Sequence, residues 1–209
     1  MAERPLLIGL TGSIGMGKSE TAKMFATLGI PVNDSDANVH RLYEAGGAAV
    51  PVIAQAFPGT VKDGKVDRGE LSKRLAADPQ AFKKLESLVH PLVAAEQRKF
   101  LEKAERDGAK MVVLDIPLLF ETGGHAGMDA VVVVSAPHHI ERERVLARPG
   151  MSPDKLDQIL SRQMPDAEKR AKAHFVVETD RGLDHAFEQV KNVVAELHRK
   201  RQGKHAKDA

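Results

Sequence analysis

A short apolar run, Leu6-Leu7-Ile8-Gly9-Leu10, leads without a break into Thr11-Gly12-Ser13-Ile14-Gly15-Met16-Gly17-Lys18-Ser19-Glu20. Residues 12–19 satisfy G-x-x-x-x-G-K-[ST] at every fixed position. In such a loop the glycines let consecutive backbone N–H groups turn inward around phosphate oxygens, and the next helix adds its positive end at the same point. Lys18 then reaches the β- and γ-phosphates, and the Ser19 hydroxyl is offered to Mg²⁺. In a chain of average composition a chance match is on the order of one in a hundred. A buried strand that feeds a helix through this loop demands neighbouring strands on both sides, which points to a parallel sheet flanked by helices.

The rest of the chain supplies those strands. Ile30-Pro31-Val32, Lys110 to Asp115, Asp129 to Ser135 and His174 to Glu178 are short apolar runs of strand length. Between them lie helical patterns. Lys18 to Leu28 repeats Ala22, Phe25 and Leu28, with Gly29 placed to end the helix, and Leu183 to Arg201 carries Phe187, Val190, Val194 and Leu197 on one face.

More than seventy residues separate the second and third of these strands, too many for one crossover. Residues 37–107 are therefore read as a helical insertion. Asp67-Arg68-Gly69-Glu70 and Asp78-Pro79 mark helix starts within it, and His90-Pro91 interrupts its apolar period. Residues 142–171, rich in charge and poor in core residues, read as a mobile helical lid. The nucleotide-binding core is then 1–36, 108–141 and 172–201.

Composition narrows the function. With no cysteine among 209 residues there is no thiolate chemistry, no thiolate metal site and no disulfide framework, which fits a cytoplasmic location. No apolar run approaches the length of a membrane span, and the N-terminus does not read as a signal peptide. The net charge is +2, but residues 198–209 alone carry +4, so the remainder is at −2. That basic end, 202–209 in particular, reads as a disordered solvated tail rather than a nucleic-acid arm. Aromatic residues make up only 4%, too few for a stacking platform, so no nucleic-acid partner is expected.

Two rival readings of the glycine loop fail on specific residues. A short-chain dehydrogenase needs a Tyr-x-x-x-Lys pair, but the single tyrosine, Tyr43, is followed four residues later by Gly47. A GTP-reading Asn-Lys-x-Asp occurs nowhere, which leaves ATP as the nucleotide. Loop, insertion and an arginine-bearing lid together describe a small-molecule kinase, since phosphoryl transfer needs its reactants enclosed away from water.

The order of motifs resembles the dephospho-CoA kinase family. The resemblance runs through Leu10-Thr11-Gly12-x-Ile14-Gly15-x-Gly17-Lys18-Ser19, Leu28-Gly29-Ile30-Pro31-Val32-x-Asp34-x-Asp36, and Val66-Asp67-Arg68-x-x-Leu71. It continues through Leu85-Glu86-x-Leu88-Val89-His90-Pro91 and Asp115-Ile116-Pro117-Leu118-Leu119-Phe120-Glu121 to Arg144, Arg148, Ser152 and Gln163. The chain departs from the family's usual loop at Ser13, where glycine is common, and at Glu20, where threonine is common. The resemblance implies an α/β P-loop NTPase three-layer sandwich. It also implies transfer of the ATP γ-phosphoryl to the ribose 3′-hydroxyl of 3′-dephospho-CoA, giving CoA and ADP, the last step of coenzyme A synthesis.

The roles this implies fall on few residues. Gly12, Ser13, Ile14, Gly15, Met16, Gly17, Lys18, Ser19 and Glu20 bind the nucleotide. Asp36 matches the family's base at the acceptor; the alternative is a helix N-cap, for which Asp34 is the better placed. Asp115, ending its strand, would hold Mg²⁺ through water with Ser19, or else is a structural strand-end acid. Lys18, Arg144 and Arg148 would balance charge on the transferring phosphoryl. His90 would touch the acceptor, or else is an ordinary histidine at a helix break. Two other classes remain: a kinase of another metabolite, and a nucleotide-binding regulator without transfer. The sequence leaves the oligomeric state open.

Overall fold

The computed structural model describes residues 4–205, which separate into two compact units: Asn33–Asp107, and the chain up to Val32 together with the chain from Gly108 onward. The larger unit is built on a sheet whose strands are β1 (Leu6–Thr11), β2 (Val32–Asp34), β5 (Met111–Asp115), β6 (Ala130–Ser135) and β7 (Phe175–Glu178), in the spatial order β2-β5-β1-β6-β7. The unit boundary falls within β2. β1 runs parallel to both β5 and β6, and β7 runs parallel to β6. The strand order reverses at β1, so the loop that follows it opens at a topological switch point, where open α/β sheets bind their ligands.

The sheet is buried on both faces, as a parallel sheet must be. Every residue of β5 and of β6 is buried. Along β6 the faces alternate: Val132 and Val134 join Ile8, Leu10 and Phe25 on one side, while Val131 and Val133 join Leu119 and Phe120 on the other. Helix α1 (Lys18–Thr27) and the closing helix α9 (Leu183–His205) cover the first face. Gly29, with φ 77°, ends the turn after α1 through a bond from its N–H to the Ala26 carbonyl, 2.9 Å. α9 continues four residues beyond Arg201, so the expectation of disorder over 202–209 is corrected as far as His205; residues 206–209 lie outside the described residues. Near the negative end of this helix Lys200 pairs with Glu196 at 2.7 Å.

The stretch expected to be a lid is helical: α6 (His138–Leu146), α7 (Pro153–Leu160) and α8 (Asp166–Lys172). Its return to the core is fixed by Lys169, which is fully buried and pairs with Glu121 at 2.9 Å. Glu121 also accepts from the Met164 N–H at 2.7 Å.

The second unit holds α2 (Ser35–Tyr43), α3 (Ala49–Ala56), a hairpin of β3 (Val61–Lys62) and β4 (Lys65–Val66), α4 (Arg68–Ala77) and α5 (Pro79–Arg106). Its own core includes Leu42, Tyr43, Ile53, Leu71, Leu85 and Val89. The hairpin turns on Asp63-Gly64, both at positive φ, which the sequence reading overlooked. Asp67 caps α4 by accepting from the Glu70 N–H, and Asp78 caps α5 by accepting from the Gln80 N–H.

His90-Pro91 does not break the chain here: α5 passes through both as one helix of 28 residues. Pro91 is exposed, so the Ser87 carbonyl that loses its partner lies on a wetted face.

The Lys169–Glu121 pair yields a stability prediction. Burial favours the neutral acid at Glu121, but the bonds from the Met164 N–H and Lys169 outweigh it and hold the carboxyl below its ordinary 4.5. A depressed carboxyl stabilises the fold above its unfolded value, and that contribution disappears as pH falls through the folded one. Glu121→Ala, which strands a buried ammonium, should lower stability by about 3–5 kcal/mol at pH 7. The deficit should shrink on titration below pH 4.5. Urea denaturation across this range tests it; an unchanged midpoint at pH 7 would refute it.

Candidate active site

The loop between β1 and α1 has the conformation its sequence demands. A Cβ on Gly12 would lie 2.6 Å from the Val134 carbonyl oxygen of β6. Gly15 has φ 80°, and its Cβ would lie 2.6 Å from a Val145 methyl on α6. Ser13 does not share these demands. Its φ is not positive, and the side chain is buried, so the departure from the family's glycine carries no backbone strain. Glu20 lies in the first turn of α1, where its carboxylate pairs with Lys23 at 2.7 Å.

Three side chains from outside the loop hold it in shape. Thr179, just past β7, donates its hydroxyl to the Met16 carbonyl at 2.8 Å. Arg144 of α6 donates to the Thr179 hydroxyl at 2.9 Å, to the Thr179 carbonyl at 2.6 Å and to the Gly15 carbonyl at 3.4 Å. From the lid, the Gln163 side-chain carbonyl accepts from the Ile14 N–H at 3.2 Å. Thr179 and Gln163 were not among the expected site residues. No periodicity or motif marks Thr179, and Gln163 stood only in the family resemblance.

Asp115 is buried at the end of β5, and Lys18 forms an ion pair with it. The two chemistry-bearing residues of the loop region are therefore already joined. Arg144 ties the phosphate loop to the segment after β7. Both Arg144 and Arg148 line a cavity of about 280 Å³ with Glu20, Met24, Gly182 and Leu183. It opens between α1 and α9, beside the loop, and its apolar walls suit a flat base. A second cavity of about 550 Å³, lined by Ser13, Met16, Gln163, Asp166 and Arg170 among others, lies on the lid side.

In the other unit, Asp34 is the cap of α2, accepting from the Ala37 N–H at 2.9 Å. That leaves the exposed Asp36 carboxylate at the lip of a cavity of about 380 Å³ with His40, Tyr43 and Arg68. Burial raises the Tyr43 phenol above its ordinary value, against the pull of Arg68, so it stays neutral at physiological pH. His90 is exposed on α5 and lines neither this cavity nor those named above, so the structure does not bring it to Asp36.

Among the described residues no three His, Asp or Glu side chains converge on a metal position. A divalent ion here has to be held as Mg²⁺ commonly is, by one or two protein oxygens together with phosphates and water. The Ser19 hydroxyl and the Asp115 carboxylate fit that requirement. Among the described residues no helix is long and apolar enough to cross a membrane.

A phosphate loop at the switch point of this sheet, with helices on both faces, defines the P-loop kinase fold. Residues 6–185 match the family model for dephospho-CoA kinase. The chain is 56% identical over 189 residues to the dephospho-CoA kinase of Rhodopseudomonas palustris strain HaA2, covering 90% of this chain and 94% of the relative. Among solved structures, TT1252 from Thermus thermophilus superposes with a TM-score of 0.80 at 37% identity, over 93% of this chain and 99% of the other. The dephospho-CoA kinase from Campylobacter jejuni shares the fold, with a TM-score of 0.62 at 22% identity over 91% of this chain and 96% of its own. The chain belongs to the dephospho-CoA kinase family.

The unstrained Ser13 gives a direct test. Ser13→Gly should leave nucleotide affinity unchanged and lower stability by about 0.5–1 kcal/mol through the freer unfolded chain. Paired equilibrium binding and denaturation measurements decide it, and a gain in affinity would show that the serine does distort the loop.

Proposed function

We infer that the chain is a dephospho-CoA kinase, which transfers the γ-phosphoryl group of ATP to the ribose 3′-hydroxyl of 3′-dephospho-CoA. What supports this above all is that the family match over residues 6–185 contains a phosphate loop complete at every fixed position and an Asp36 relieved of capping by Asp34. ATP is the donor because no guanine-reading motif occurs. A cysteine-free metabolic enzyme of this kind fits a reducing cytoplasm.

Asp36 accepts the proton of the attacking hydroxyl. The new O–P bond forms as the bond from the γ-phosphorus to the bridging oxygen of ADP breaks, and ADP leaves with that electron pair. Backbone N–H groups of residues 12–19 hold the nucleotide's phosphates, and Lys18 leaves Asp115 to balance charge on the β- and γ-oxygens. Mg²⁺, when bound, neutralises phosphate charge, and Ser19 and Asp115 are the residues that would hold it. The base enters the cavity beside Glu20 and Leu183, with Arg144 keeping its wall in place and Arg148 supplying positive charge toward the phosphates. The lid excludes water when it closes.

A coupled ADP-release assay with ATP, Mg²⁺ and 3′-dephospho-CoA tests the reading, with adenosine, AMP and gluconate as comparison acceptors. Turnover confined to dephospho-CoA is the expected result. Turnover on gluconate alone would assign the chain another metabolite, and ATP binding without any turnover would favour a regulator. Asp36→Asn should reduce kcat by about 10²–10⁴-fold while the KM for ATP stays unchanged. A variant with intact kcat would remove Asp36 from the role of base.

A further inference from the structure

Glu141 of α6 has no part in the proposed reaction, yet it is only 3% exposed. One of its carboxylate oxygens, Oε2, lies 3.0 Å from the Nδ1 of His138, one turn earlier on the same helix. The other, Oε1, is buried and has no hydrogen-bond partner among the described residues. Asp166, which opens α8, repeats the arrangement. Its Oδ2 accepts from the Ser135 hydroxyl at 2.7 Å, while its Oδ1 is buried without a donor. Buried acceptors that nothing satisfies destabilise a fold, charged ones most of all. The chain gains nothing from holding two of them unless a donor arrives from outside it.

Both carboxylates line the lid-side cavity of about 550 Å³, a volume in the range of small-molecule sites. This cavity is separate from the one assigned to the nucleotide base. Helix α6 contributes His138 and Glu141 to the first, Arg144 and Arg148 to the second, and the two share no lining residue. Four carboxylates, Glu141, Asp166, Glu178 and Asp180, outnumber two guanidinium groups, Arg170 and Arg181, so the lining is net negative. Arg170 does not relieve the unpartnered oxygens, because it donates to the Ser135 hydroxyl oxygen at 3.0 Å and to Glu178 at 3.1 Å. Met16, Leu160 and Met164 contribute apolar wall.

We propose that this cavity binds an aliphatic diamine, with one ammonium group on Glu141, the other on Asp166 and the methylene chain against Met16, Leu160 and Met164. An ammonium group brings three N–H donors and a full positive charge, the two things an unpartnered carboxylate oxygen lacks. A single amine would satisfy one of the two oxygens and leave the other as it is. A metal ion fits less well, since among the described residues no three His, Asp or Glu side chains converge on a metal position, and an ion would leave the apolar wall uncovered. Glu141 belongs to α6 and Asp166 to α8, so the bound diamine ties the first helix of the lid stretch to the last. The inference stands apart from the kinase reading, because it involves neither nucleotide nor acceptor.

Calorimetric titration of the full chain with 1,4-diaminobutane at physiological ionic strength, without nucleotide, tests this. The comparison ligands are n-butylamine, 1,4-butanediol and magnesium chloride. The diamine should bind saturably at one site per chain, at least about tenfold more tightly than n-butylamine. Glu141→Gln and Asp166→Asn keep the size of each side chain and remove its charge. Each should weaken diamine binding about ten- to hundredfold, the loss expected for one charge-assisted bond. The Ser135 hydroxyl can still donate to the amide oxygen in D166N, so this variant keeps the test open if thermal melting shows E141Q to be poorly folded. Absence of saturable diamine binding at millimolar concentrations would overturn the proposal. Binding that survives unchanged in folded E141Q or D166N would place the diamine elsewhere and overturn it too. Equal affinity for n-butylamine or butanediol would do the same, as would a site that takes Mg²⁺ in preference to the diamine.

Discussion

Lys18 and Asp115 face a shared electrostatic demand. Asp115 is buried at the end of β5, opposite Leu10 of β1, and a carboxylate there needs a nearby cation. Lys18 supplies it across the mouth of the phosphate loop. The lysine is thereby held, partly desolvated, beside the phosphate loop. In the proposed reaction the paired Lys18 is the cation that meets the incoming phosphates.

The same economy governs the loop's backbone. Its carbonyls at Gly15 and Met16 are occupied from one side by Arg144 and Thr179, while its Ile14 N–H is engaged by Gln163 from the lid. Fixing carbonyls outward is what keeps the remaining N–H groups turned inward, the arrangement an anion requires. The lid contact uses one of the donors. In the proposed reaction this bond gives the lid segment a direct contact with the loop that holds the phosphates. Lys169 and Glu121 give that lid a fixed base.

The sheet, the helix α1 and the phosphate loop were legible because each rests on local chemistry: apolar runs of strand length, a 3.6-residue repeat, and glycines where side chains collide. Asp34 and Asp67 were legible as caps for the same reason. The errors are instructive in physical terms. Pro91 looked like a break, but a proline whose unpartnered carbonyl faces water costs a long, well-packed helix too little to end it. The Asp63-Gly64 hairpin carried a clear turn signal that the surrounding helical patterns obscured. Thr179 and the Arg144 bonds to it could not be read at all, since they join residues far apart in the chain through tertiary packing alone.

Arg68 illustrates the intermediate case. Its motif was visible, and so in retrospect were two stripes at i, i+3, i+4 and i+7, Asp36 to Tyr43 on α2 and Arg68 to Leu75 on α4, because helical periodicity is written in the sequence. What the sequence does not carry is that the stripes of α2 and α4 face one another and leave space between them. Here each stripe begins with a charged residue that cannot be buried without a partner, Asp36 on one and Arg68 on the other. The phosphate loop is common to many kinases and says little about the acceptor. The specificity of this chain is therefore sought where packing has been given up, in the insertion, and not where it is most complete.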